Sequence, residues 1–590
     1  MTSRHYRRPG PGLAPGRTPT PSEASIRYTR IVQGACLFLT LTAGWLSHLF
    51  SVYLTQEQSE APTVDVSSLV SSVWCHTGSS GEKLCKFRNI CYDPWFQEFQ
   101  FTMSEESIVF GIRNPEQWKD IDMSTVLDHN AFKMKVSIMS PENKIKQNRA
   151  QVLMDPTFII HRFKPDNIMH VIHDELIPLL FTMESVSEKD FDGKQFSLAF
   201  TDDHNISTLD KWYDHFSKSP IIKLPYISET ICFANAYVGM HKSTLWFDYG
   251  FKKYHGPYIN RNFHVNGLKK FVKYSLSVWK SKPIFTCSLE TQCVKVVVVS
   301  REQSRRILNL KTLYSAIEEA HQKSYKSYGL EIVTIDLARH DISFVLTELN
   351  QATLVVGMHG AAMILSLFMP PSSAIVELFP YAINPDNVSF LKALFQQREV
   401  YPLYYEFWRN KNIGDSRPGT HADPLMGKIS HLSEELQNII MSMTEVPPVQ
   451  CCHSPAYLYY MYHDTYVQES VEQPILNALL RTQSHSPHPS LLSKHIFPAS
   501  PSFLNCTFEG QELSVAWGES SNPEENENLW FQLTMLNDDI IKVVNATDSL
   551  SREFWMKLST PIKSFQLWFQ PFSGKDRSGH LTHQNCTKSR

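Results

Sequence analysis

Beyond its first thirty residues the chain has no block of basic residues, and its formal net charge is −3. A nucleic-acid partner needs concentrated positive charge, so that class is set aside. No G-x-G-x-x-G, Walker A or H-E-x-x-H sequence occurs, which removes the usual signatures of dinucleotide, P-loop and zinc-protease sites. No internal repeat is visible, so a solenoid is not expected. Mean hydropathy is negative, and nothing beyond one segment need cross a bilayer.

That segment also shows itself by a lack. Residues 31–54 (IVQGACLFLTLTAGWLSHLFSVYL) contain no Lys, Arg, Asp or Glu. At about 1.5 Å per residue, about 24 helical residues reach roughly 36 Å, enough to cross a ~30 Å hydrocarbon core with some tilt. Arg4, Arg7, Arg8, Arg17, Arg27 and Arg30 precede it, and Glu57, Glu60 and Asp65 follow. The positive flank stays cytosolic, so the expectation is a single-pass, type II anchor with the bulk of the chain lumenal. The rival is a cleavable signal peptide, against which the run is long and begins far from Met1.

There are 11 cysteines, and Cys36 lies within the apolar segment. Cys75, Cys85, Cys91, Cys232, Cys287, Cys293, Cys451, Cys452, Cys506 and Cys586 remain. In an oxidising lumen most of these pair, in a connectivity the spacing does not reveal. The 75–85–91 spacing fits no common zinc pattern. Glycosylation sequons begin at Asn205, Asn387, Asn505, Asn545 and Asn585, in agreement with a lumenal location.

Residues 1–30, rich in Pro, Arg and Thr, read as a disordered tail; 31–54 is the anchor and 55–72 a polar stem. From 73 to 280, strand-like and helix-like pieces alternate: strands near 152–160 and 196–201, helices near 167–183 and 207–216. From 281 to 483 the alternation sharpens. VKVVVV at 294–299 reads as a strand buried on both faces. Strands at 331–335, 353–356 and 374–378 follow, with helices at 310–321, 342–350 and 361–368 between them. Repeated β-α units predict α/β architecture with a parallel, doubly wound sheet. After a linker at 484–489, short alternating runs across 490–590, with a Trp in an early strand, predict a β-sandwich of fibronectin type III kind.

Three clusters carry polar chemistry. In RFKPDNIMHVIHD (162–174), Pro165 and Asp166 open a helix that places Asn167, His170 and Asp174 on one face. A carboxylate-supported His170 is a candidate general base; a solvated, capped helix with a simple His–Asp pair is the plain alternative. Zinc is disfavoured, since His170 and His173 do not make the known motif. In TLVVGMHGAAM (353–363), a buried strand runs into His359 and Gly360. Small residues there admit close approach of a phosphate to the next helix's N–H groups, and Glu377 ends the following strand, where it can hold ribose hydroxyls. A tight, well-packed turn is the alternative. Arg301 and Arg305, just after strand 294–299, can clamp a diphosphate, or else form a basic surface loop.

At RFKPDNIMHVIHDELIPL (162–179), VVVSREQSRRILN (297–309) and GMHGAAMILSLFMPPSSAIVELFPYAINPD (357–386), with Cys451-Cys452 and YHDTYV (462–467) beyond, the chain resembles family 61 glycosyltransferases. The resemblance covers nearly all of 70–590. It implies two Rossmann-like lobes of glycosyltransferase B type, an acceptor-side lobe (73–280) and a donor lobe (281–483). It implies inverting transfer of N-acetylglucosamine from UDP-N-acetylglucosamine, in β-1,4 linkage, to O-linked mannose. The acceptors it implies are glycoproteins such as α-dystroglycan in the endoplasmic reticulum, with no obligatory metal. Arg162, Asn167, His170 and Asp174 then fall on the acceptor-side motif, and Arg301, Arg305, His359, Gly360 and Glu377 on the donor motifs. Three positions depart from the family pattern: Lys164 replaces an Asn, and Ala362 and Leu365 are apolar where polar residues are usual. The sandwich either presents a polypeptide acceptor or mediates a homodimer. A non-catalytic, membrane-anchored adhesion or lectin-like protein is the competing class, although it has no need of arginines and glycines at successive strand ends.

Overall fold

The computed structural model describes residues 63–64, 69–483 and 501–588, apart from short stretches, the longer being 113–117, 127–131, 140–149, 250–255, 258–264, 280–286, 396–402, 448–453, 519–528, 548–552 and 558–564. The tail, the apolar segment 31–54, most of the stem, the linker 484–489, Cys451 and Cys452 lie outside the described residues. Among the described residues no helix is long and apolar enough to cross a membrane.

The fold is mixed α/β with several sheets. The first is mixed. Ile222–Lys223, Ser197–Phe200, Thr157–Ile160 and Ile231–Val238 lie side by side as parallel neighbours. Lys83–Asp93 and Ser72–Thr77 continue it antiparallel. The single strand expected over 152–160 is two, Ala150–Leu153 and Thr157–Ile160. Asp155-Pro156 divides them, because proline cannot donate to a ladder and restricts the residue before it.

The second sheet is wholly parallel, in the order Gly329–Ile335, Cys293–Val299, Leu354–Met358, Ala374–Phe379, Tyr404–Arg409. Its three central strands, Cys293–Val299, Leu354–Met358 and Ala374–Phe379, are almost wholly buried because both sides of the sheet are covered. Val297, Val299, Val355 and Ile375 enter one core. Val294, Val296, Val298, Leu354 and Val376 enter another, under the helices Leu310–Ser324 and Glu472–Gln483. The edge strand Tyr404–Arg409 is an addition to the sequence reading. Residues 361–368 form a 3-10 helix where an α-helix is expected.

The first of those cores spans both sheets. Phe158, Phe200, Trp212 and Phe271 from the first part of the chain share it with Val299, Leu346, Phe368 and Leu394 from the second. The helix beginning at Ile168 lies at its centre, and every residue from Ile168 to Leu180 is buried. Most of its residues are apolar, as a helix buried on all sides requires, but His170, His173, Asp174 and Glu175 are buried with them.

The C-terminal strands make an all-β unit, antiparallel except for one parallel pair, Leu504–Glu509 with Thr582–Lys588. Its core holds Leu513, Val515, Trp517, Phe531, Leu533, Leu567 and Phe569. Leu504–Glu509 and Thr582–Lys588, absent from the sequence reading, pair with each other and are joined by Cys506–Cys586.

The other described cysteines pair as Cys75–Cys85, Cys91–Cys232 and Cys287–Cys293. Asn205 and Asn505 are exposed, and Asn387 is half-buried on the short helix Pro385–Val388. Asn545 and Asn585 lie on the strands Ile540–Thr547 and Thr582–Lys588.

Candidate functional site

The strand order of the second sheet decides where a ligand can enter. Counted along the chain the order is 2-1-3-4-5, so the connections diverge between Cys293–Val299 and Leu354–Met358. A crevice opens beyond the C-termini of two strands at such a switch point. Here those C-termini lead into the arginine loop (300–309) and the turn at His359-Gly360. A cleft of roughly 480 Å³ lies there. One wall carries Arg301, Arg305, Asp336 and Ala361-Ala362; the other carries Asp166, Asn167, Thr208 and Leu209 from the first part of the chain.

The arginine loop is pinned from behind. Arg306 donates to Asp464 through its amide (2.7 Å), Nε (2.9 Å) and Nη2 (2.7 Å). Asn309 Nδ2 donates to the Val467 carbonyl, and the Val467 amide donates to Asn309 Oδ1, both at 2.8 Å. The YHDTYV stretch therefore positions the loop, a role its distance along the chain conceals.

Arg305 adopts a left-handed φ of 56°. Its Nη1 donates to the His359 carbonyl (3.1 Å), and its guanidinium lies 5.0 Å from the Tyr462 ring centroid. Arg301 stands beside it. Burial, reinforced by the neighbouring Arg305 charge, pushes Arg301 down to about 9. Burial also lowers Arg305. A guanidinium keeps its proton at neutral pH, so these directions express two buried positive charges that Asp336 and Tyr462 offset only in part. Arg301 Nη1 and Arg305 Nε have no partner among the described residues. Buried charges of one sign, arranged as forks, call for a multiply charged anion.

Gly360 makes that arrangement possible. Its φ is 148°, and a Cβ there would lie 2.8 Å from Arg301 Nη1 and nearer still to Arg305 Nη1. Glycine both tolerates the conformation and leaves room for the guanidinium pair. At Gly357 a Cβ would meet Met363 Sδ at 2.7 Å and Val299 Cβ at 2.8 Å, a core-packing constraint.

Glu377 is corrected by the structure. It is fully buried, with both carboxylate oxygens in use. His359 Nδ1 is 2.6 Å from Oε1; the hydroxyls of Ser389 (2.5 Å) and Tyr405 (2.6 Å) donate to Oε2. No oxygen is left for a ribose. Glu377 instead orients His359, whose ring stacks on Phe379 at 5.0 Å, and so steadies the carbonyl that Arg305 grips.

Asn167 caps the central helix, accepting from the Met169 amide at 3.0 Å, and faces the cleft. Residues 171–176 make a π-turn within that helix, a feature common near functional sites. His170, His173 and Asp174 are buried there. Asp174 bridges the two Nδ1 atoms, each at 2.5 Å. The Trp246 amide donates to His173 Nε2 (3.3 Å), so Nδ1 of that ring holds the proton given to Asp174. Burial alone would raise Asp174, but the two histidines outweigh it and hold the carboxyl below its ordinary range.

His170 does not line the cleft. Its ring packs against Phe163 (5.0 Å) and Tyr249 (4.7 Å). Arg162 is also set back from the cleft. It is fully buried and held by Asp202 (2.6 Å) and Asp210 (2.7 Å). These placements join Asn167, Arg301, Arg305 and Gly360 in one site and leave Arg162, His170 and Asp174 behind it. In the sequence Tyr462 and Asp464 stand out only as part of the YHDTYV motif, and Asp166 only as a residue that opens a helix; the structure places Tyr462 and Asp166 at the cleft and Asp464 behind the arginine loop. Among the described residues no cluster of His, Cys, Asp and Glu has a metal-binding arrangement.

The Glycosyltransferase 61 family model matches residues 168–376. The chain is 31% identical over 421 residues to protein O-linked-mannose β-1,4-N-acetylglucosaminyltransferase 2 of Xenopus laevis, covering 70% of this chain and 69% of that protein. The human protein of the same name is 28% identical over 397 residues, covering 67% of this chain and 66% of its own. An Fn3-like protein from Clostridium thermocellum aligns with 16% of this chain and 95% of its own, at 11% identity and a TM-score of 0.13; no argument rests on it. With a relative at this identity matched over two thirds of both chains, the chain belongs to glycosyltransferase family 61.

Proposed function

We propose that the chain transfers N-acetylglucosamine from UDP-N-acetylglucosamine, in β-1,4 linkage, to O-linked mannose on glycoproteins such as α-dystroglycan. The observation that carries the reading is the Arg301–Arg305 pair at the switch point, offset only in part and backed by a glycine. A sugar diphosphate leaving group gains negative charge as its bond to the sugar breaks, and fixed guanidinium donors stabilise that charge. The names of the relatives supply the sugar and the linkage.

In this reading the reaction is inverting, and the arginines serve as electrophile without an obligatory metal. The two α/β parts are the Rossmann-like lobes of a glycosyltransferase B fold. The C-terminal unit, with Trp517 in its core, is a fibronectin type III sandwich that presents the polypeptide acceptor or pairs two copies. Residues 31–54 anchor the enzyme in the endoplasmic reticulum membrane, with the cleft lumenal.

The test is transfer from UDP-N-acetylglucosamine to an O-mannosyl peptide, with the product linkage determined. A β-1,4 product is expected, lost in Arg301→Ala and Arg305→Ala and retained in EDTA. Absence of transfer, together with no stabilisation by UDP, would overturn the reading.

A further inference from the structure

An inverting transfer needs a proton acceptor on the face of the sugar opposite the departing diphosphate. The cleft offers few groups able to fill that role. Among the described residues no histidine lines it, and the carboxylates that do are Asp166, Glu302 and Asp336. Glu302 pairs with Arg339. Asp336 accepts from the Ala338 amide at 2.8 Å and belongs to the same wall as the arginines. Both therefore lie on the diphosphate side. Asp166 is on the other wall, is exposed, and has no hydrogen-bond or ion-pair partner among the described residues.

The residues around Asp166 hold it in place. The Asn167 amide donates to the Lys164 carbonyl at 3.0 Å, closing a turn around Pro165 and Asp166. One flank is fixed by Arg162, whose guanidinium is buried between Asp202 and Asp210. The Phe163 amide donates to buried Glu175 at 2.7 Å. On the other flank Asn167 caps the helix. Of this turn, Asp166 and Asn167 line the cleft. Asn167 is engaged as the helix cap, which leaves the Asp166 carboxylate as the group that can take a proton, held by its flanks so that little reorganisation is needed to act.

We infer that Asp166 is the catalytic base, and that Arg162 and Glu175 are positioning residues that present it. The inference rests on the transferase reading above. In the step, the acceptor hydroxyl oxygen forms a bond to the anomeric carbon of the donor sugar. The bond from that carbon to the diphosphate oxygen breaks, and its electron pair leaves with UDP. The hydroxyl proton passes to the Asp166 carboxylate and then to solvent.

The experiment compares wild type and Asp166→Asn for kcat, KM, pH dependence and stabilisation by UDP. The expected result is a fall in kcat of about 10²-fold or more, an unchanged UDP-induced shift in Tm, and loss of the acidic limb of the kcat profile. Asp166→Glu is expected to recover part of the rate. If wild type transfers sugar and Asp166→Asn stays within threefold in kcat, the inference is overturned while the transferase reading stands. If His170→Ala removes the acidic limb and Asp166→Asn leaves it, His170 is the base and the inference is again overturned. A wild type that neither binds UDP nor transfers sugar overturns both.

Discussion

Gly360→Ala probes the site with the addition of a single methyl group. Two costs arise at once. A non-glycine residue at φ 148° is strained by about 1–3 kcal/mol. The new Cβ would also press on both guanidinium groups, 2.8 Å from Arg301 Nη1 and closer to Arg305 Nη1. The hydrogen bond from Arg305 to the His359 carbonyl, 3.1 Å long, ties that displacement to the turn itself. If about 2 kcal/mol of this falls on the liganded geometry, the affinity for UDP drops roughly 30-fold. At a UDP concentration about 100 times the wild-type Kd, wild type gains about 2.7 kcal/mol and the variant only about 0.9 kcal/mol. Thermal unfolding with and without UDP reads this directly. Gly357→Ala is the control, because its Cβ would meet Met363 and Val299 in the core; it should lower Tm in the absence of nucleotide and keep the UDP increment. A Gly360→Ala protein with the full wild-type increment would refute the idea that the arginines need this glycine.

Burial pushes the Glu175 carboxyl up to about 8. A folded-state pKa above the unfolded value means stability is greatest below about pH 4.5 and declines as pH rises to about 8; Glu175→Gln should flatten that decline in urea titrations. His463 shifts the opposite way, held at about 4 by burial; its contribution is present above its ordinary pKa near 6.5 and lost as pH falls towards 4, so His463→Gln should soften acid unfolding. Cys91–Cys232 spans a sequence separation of 141 residues, so the Cys91→Ala, Cys232→Ala double variant should lose about 5 kcal/mol in chemical denaturation, on the loop-entropy relation. Asp464→Asn removes the charged partner of Arg306 and, if the loop it pins holds the diphosphate as proposed, should raise KM for UDP-N-acetylglucosamine several-fold with little change in kcat.

The second sheet was largely legible because its three central strands are buried on both faces. Continuous runs such as Val296–Val297–Val298 have no other role in a soluble fold. Tyr404–Arg409 was not, since YYEFWR shows neither a continuous aliphatic run nor a strict alternation, and it lies at the sheet edge. The two loops of the donor wall were recognisable from small and basic residues directly after apolar strands. Two things were hidden. Glu377 resembles a ligand until Ser389 and Tyr405 are seen to occupy its second oxygen. Likewise, the helix face that groups His170 with Asn167 says nothing about how far the cleft extends along it. Periodicity reports which side of a helix a residue occupies; the limit of a cleft depends on packing from distant segments. The partners Asp464 and Tyr462 come from such a segment, 158 residues from Arg306 in the case of Asp464.

The core shared by the two sheets has a consequence for how the protein is made. Phe158, Trp212 and Phe271 leave the ribosome well before Phe368, Leu394 and Leu403, against whose cluster they pack. At about 5–20 residues per second, the wait between Phe271 and Leu403 is roughly 7–26 s. Throughout that interval a large aromatic surface has no native cover, and the central helix has a groove to fill but only one side of it. The shared core therefore predicts that a truncation between the two sheets leaves each half with an uncovered apolar face, and that neither half folds alone as it does in the whole chain.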